Sequence, residues 1–136
     1  WYWDANRKES PGKKIFRTGD AYSNLLGTKS TAMDAIEQTH TPLLLPTSRL
    51  YRAWTDKSSV LNTLKMRRLL QEMKDAAIRN RYYHLWWHPH NFGFHPKQCL
   101  QELETILKTY QQLHRQYGFS SYTMIETKEA VQSINR

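Results

Sequence analysis

Four of the six histidines in this chain of 136 residues fall within twelve positions, His84-Leu-Trp-Trp-His88-Pro-His90-Asn91-Phe-Gly-Phe-His95. Imidazole ordinarily titrates nearer neutral pH than any other side chain, so such a cluster can move protons or hold a metal. Three uses compete. His84 and His88 stand four apart and could share a metal on a helix, but the aromatic run and Pro89 argue for extended chain instead. His88 and His90 could still chelate from an irregular loop, although no carboxylate lies within the stretch to complete a strong site. A purely structural use packs His84 in a strand and leaves the others as loop residues among aromatic neighbours. In the third use His88 transfers a proton. On extended chain side chains alternate, so His84, Trp86 and His88 share one face and Leu85 and Trp87 the other.

The flanking elements favour that third use for His88. Residues 58–80 predict a helix, because Leu61, Leu64, Leu69, Leu70, Met73, Ala76 and Ala77 recur at threes and fours. Lys65, Arg67, Arg68, Lys74 and Arg79 then form a solvated opposite face, and Asn80 is the stop. Residues 81–87 predict a strand, ended by Pro89. Pro96 suits the first turn of a second helix running to about Tyr117, with Leu100, Leu103, Leu107, Tyr110 and Leu113 on its apolar face. Gly118 stands in the usual place for a C-cap. Residues 119–125 alternate enough for another strand, and 126–134 suit a last helix. Earlier, 41–49 reads as a buried extended segment bounded by prolines, 13–18 as extended, and 21–26 and 32–37 as short helices. Alternation of helix and strand implies an α/β layout with parallel strands. His88 would then lie at the carboxyl end of a strand, the edge where such folds bind ligands.

Leu85-Trp86-Trp87-His88 is similar to the last signature of the polysaccharide deacetylase family, a Leu-x-Leu-His at a strand end. The ten-residue string from His84 to Gly93, after a basic helix, resembles a bacterial subgroup of that family. The resemblance extends roughly over residues 40–125. It implies an α/β fold, a partial (β/α) barrel of which this chain holds only the C-terminal strands and helices. It also implies a hydrolase that removes acetyl groups from N-acetylated polysaccharide or glycan precursors. A divalent metal, zinc first, is held in that family by one aspartate and two histidines, and an aspartate base activates the metal-bound water. The signature histidine protonates the departing amine, a role the resemblance gives to His88. No Asp-Asp string, and no His-x-x-x-His string upstream of His84, occurs here. The metal ligands are therefore expected outside this chain, in a missing N-terminal half, and the aspartate pair that usually orients the signature histidine has no clear match. A barrel of this kind needs about 200 residues or more. Trp1-Tyr2-Trp3 would then sit in a loop near the sugar.

Weaker candidates surround His88. Trp86 could stack on a sugar ring or pack inside the barrel. His90 and Asn91 could hydrogen-bond sugar hydroxyls from their loop, though an asparagine there also suits a turn. Arg49, just beyond an extended segment, could face the same site or lie in solvent. Cys99 stands alone, and its setting between Gln98 and Leu100 reads as a buried or half-buried helix position.

Composition limits the remaining classes. The hydrophobic share is 39% and the aromatic share 12%, which argues against disorder. The longest apolar run, 42–46, is far short of the ~20 residues a membrane span needs. No signal peptide is visible, and the first residue is Trp1, so a fragment or processed product is expected. Lys+Arg 20 against Asp+Glu 12 gives +8, compatible with nucleic acid, an anionic membrane surface or an acidic polysaccharide. The basic residues are spread along the chain without an arginine-rich run, so a dedicated nucleic-acid partner is not expected. The alternatives to the enzyme are a non-enzymatic carbohydrate- or nucleic-acid-binding module and an inactive barrel remnant. The subgroup points to a bacterium, with cytoplasm and cell envelope both open.

Overall fold

The computed structural model describes residues 30–36 and 43–134. The expectations for 1–29, including Trp1-Tyr2-Trp3, lie outside the described residues. Within the described residues a β-α-β unit is followed by two helices: β1 (Arg49–Leu50), α1 (Ser59–Ile78), β2 (Leu85–Trp86), α2 (Pro96–Tyr117) and α3 (Met124–Ile134).

The two strands pair in parallel, Arg49 opposite Leu85 and Leu50 opposite Trp86, and the sheet they form is not closed. Tyr51 extends the ladder by donating its backbone N–H to the Trp86 carbonyl at 2.8 Å. The strand expected over 81–87 shortens to two residues. Tyr82 pairs instead with Thr31 in an isolated antiparallel bridge, and the Ser48 hydroxyl accepts the His84 N–H at 3.0 Å. The helix expected over 32–37 is a single 3-10 turn, Met33–Ala35, and 43–48 carries no regular structure.

The helix ends follow local chemistry. Ser58 caps α1 by accepting the Leu61 N–H at 3.2 Å. Asn80, with φ +50°, takes the left-handed turn that ends it, and the Arg81 N–H returns to the Ala76 carbonyl. Pro96 opens α2, and Gly118, at φ +68°, closes it.

Two expectations need correction. The stripe on α1 is rotated: Leu61 and Leu64 are exposed, whereas Lys65 and Arg68 are buried beside Leu69 and Met73. Carboxylates supply the reason, since Arg68 meets Glu72 and Lys65 meets Glu102 of α2. On α2 the buried positions are Cys99, Ile106 and Leu113, seven apart, with Leu100 and Leu107 outside. Residues 119–125 do not form a strand. Thr123 and Glu126 make a reciprocal capping box that starts α3: Thr123 N–H to the carboxylate at 2.7 Å and Glu126 N–H to the hydroxyl at 3.3 Å.

The core joins Tyr51 after β1, Leu69, Met73 and Ala77 of α1, and Ile106 and Leu113 of α2. Among the described residues no helix is long and apolar enough to cross a membrane.

Candidate active site

His88 lies two residues beyond β2, at the carboxyl edge of the parallel pair, with extended backbone and an exposed side chain. Pro89 cannot donate to the ladder, so the chain leaves the sheet here and closes a 3-10 turn over Pro89–Phe92. Asn91 locks that turn to His88. Its Oδ1 accepts the His88 N–H at 2.7 Å, and its own N–H donates to the His88 carbonyl at 2.9 Å.

Two rings flank the His88 imidazole. Trp86 meets it edge-on, with centroids 5.1 Å apart and planes at 81°. His90 stacks on it at 5.0 Å and 12°. The alternation that places Trp86 and His88 on one face therefore holds at the contact level. His84, two residues earlier, lies 6.2 Å from the Tyr82 ring, and its Nδ1 is buried with no hydrogen-bond partner among the described residues. An exposed imidazole between a half-buried indole and a second imidazole can donate or accept a proton beside a flat apolar surface.

Arg49 is not brought to this group. It opens β1 opposite Leu85, and its guanidinium turns to α1, with Nε donating to Glu72 Oε2 at 2.8 Å and Nη2 to Oε1. Arg68 reaches the same carboxylate at 3.1 Å, and the Tyr83 hydroxyl donates to it at 3.4 Å. Asn91 is brought to the site, and its carbonyl oxygen serves the His88 backbone.

A polar cluster around Tyr51 escapes reading from sequence. Tyr51, 2% exposed, donates its hydroxyl to Glu102 Oε2 at 2.7 Å, and its ring stacks on Phe92 at 5.4 Å and 18°. Lys65 Nζ donates to the same Glu102 oxygen at 3.0 Å and to the Arg52 carbonyl at 2.9 Å. Burial first, then the hydrogen bond to Glu102, pushes the Tyr51 hydroxyl far above its ordinary range. Burial lowers Lys65, and Glu102 opposes that shift. Burial likewise raises Tyr83, with the Glu72 charge adding to it. The one hint in the sequence is that Lys65, Leu69, Glu72 and Ala76 recur at helical spacing on a single face.

His95 Nε2 pairs with Asp56 Oδ1 at 3.0 Å, and its ring lies edge-on to Trp54 at 5.0 Å. Among the described residues no three His, Cys, Asp or Glu side chains converge as metal ligands. Cys99 is fully buried, its sulfur 3.4 Å from the Trp54 N–H that donates to it, as a packed helix position requires. No family of known proteins, no curated protein and no solved structure matches the chain.

Proposed function

We propose that this chain is the C-terminal half of a polysaccharide deacetylase catalytic domain, supplying the proton-donating histidine for removal of acetyl groups from N-acetylated glycans. The reading rests on one observation: an exposed His88 at the carboxyl edge of a parallel β-α-β unit, with the Trp86 ring beside it. Such edges are where parallel α/β folds gather catalytic groups.

In this reading His88 acts as the C–N bond of the acetamide breaks. Protonated imidazole gives its proton to the leaving nitrogen, which departs as a neutral amine instead of a strongly basic anion. Trp86 offers a face to the sugar ring, and His90, stacked on His88, offers a hydrogen bond to its hydroxyls. Asn91 holds the backbone from which His88 projects. In this reading the metal ligands and the base are expected outside this chain.

A two-stranded parallel sheet seldom stands alone, because parallel sheets are ordinarily covered on both faces. The exposed Leu61, Leu64, Leu100 and Leu107 are apolar surface of the kind a remaining half-domain would cover.

In the complete enzyme, His88→Ala lowers turnover of an N-acetylated oligosaccharide by about 10²-fold or more, the usual size of a general acid contribution. Acetate release measures it, and an undiminished rate overturns the assignment.

A further inference from the structure

We infer that Tyr51, held by Glu102 and Lys65, is a positioning residue that sets the placement of His88 through the ring of Phe92. The inference rests on the proton-donor reading of His88.

His88 is exposed, and its own short turn is anchored to the body of the fold at several points. One is Asn91, whose carbonyl lies 3.5 Å from the Cys99 sulfur of α2. Another is Phe92, the last residue of the turn, stacked on Tyr51. Any tilt of the Tyr51 ring therefore passes to the far end of the turn whose near end is His88.

Tyr51 is fixed from several sides. Its backbone N–H is tied to the Trp86 carbonyl of β2, and its hydroxyl to Glu102 of α2. Lys65 of α1 holds the same Glu102 oxygen, lies 5.5 Å from the centroid of the Tyr51 ring, and binds the next carbonyl, that of Arg52. The side chains of Lys65 and Glu102 are 8% and 11% exposed, so these bonds act away from bulk water. Packing alone would need only a phenylalanine at 51. The hydroxyl and its carboxylate fix where the ring sits, which the core does not require but a donor histidine does.

The test uses Tyr51→Phe and Phe92→Leu in the complete enzyme, each alone and combined with His88→Ala. Tyr51→Phe keeps the core ring and Phe92→Leu alters a half-buried residue, so one can still decide the question if the other fails to fold. Each single variant is expected to lower kcat for acetate release about ten-fold with KM unchanged. Neither is expected to lower the residual rate of His88→Ala, since a residue acting through His88 has nothing left to position. An unchanged kcat in the single variants, or losses that multiply with His88→Ala, overturns the inference. A wild-type rate for His88→Ala itself would instead remove the reading beneath it.

Discussion

Asn91 shows how a residue that looks suited to a sugar hydroxyl can be engaged within the protein. Its Oδ1 receives the His88 N–H at 2.7 Å, so its loss acts on the orientation of His88. On the proposed deacetylase reading, Asn91→Ala is expected to lower kcat for acetate release about ten-fold. Asn91→Asp keeps an acceptor oxygen in the same place and is expected to retain most of the rate. Steady-state kinetics of acetate release decides between them, and equal losses in both variants would contradict the role. The pairing of Trp86 with His88 was legible because alternation along extended chain fixes it. Arg49 was not legible: its partner Glu72 lies 23 positions away, brought near only by the crossover of α1.

The helix ends could be read almost residue by residue, because Ser58, Asn80, Pro96 and Gly118 act within a turn of their own position. The faces were harder. A periodic count of apolar residues assigns Lys65 and Arg68 to water, yet both are buried because Glu102 and Glu72 meet them. Lys65→Met leaves the Glu102 carboxylate buried without its cation, and the expected cost is about 3–5 kcal/mol. Denaturant unfolding measures it. A change under about 1 kcal/mol would show that the pair is solvated after all. At α3, Thr123→Ala removes the hydroxyl of the capping box and is expected to cost about 1 kcal/mol. That box also explains why alternation over 119–125 misleads: Tyr122 and Met124 stand two apart, but the Thr123–Glu126 pair starts a helix there.

At the scale of the whole molecule, three tyrosine hydroxyls among the described residues bear on the response to alkali. Tyr51, Tyr82 and Tyr83 are all raised above the ordinary value, chiefly by burial. The folded chain therefore keeps protons that the unfolded chain loses, and the contribution, whole below about pH 10, is lost as pH rises beyond it. Lys65 works in the opposite sense. Its folded value is lowered, so stability recovers slightly as pH climbs toward the ordinary lysine range. Three tyrosines outweigh one lysine, and net stability is expected to fall above about pH 10. Phenolate absorbance followed alongside circular dichroism checks this: the buried tyrosines should ionise together with unfolding. Their ionisation in a folded chain would contradict the burial.

At the same scale, one parallel strand pair is present as the order of helix and strand led one to expect, though it joins β1 to β2 and the strand expected over 119–125 is absent. The shortness of the sheet was not, because Ser48 and Thr31 satisfy backbone groups that a longer β2 would have paired.

The most direct test of the proposed deacetylase reading compares two leaving groups in the enzyme that reading implies, wild type and His88→Ala. An amine needs a proton to depart, whereas a nitrophenolate does not. Acetate release from an N-acetylated oligosaccharide is therefore expected to fall about 10²-fold in His88→Ala, while hydrolysis of a nitrophenyl acetate stays within a few-fold of wild type. Equal losses on both substrates, or none on the amide, would contradict His88 as the proton donor.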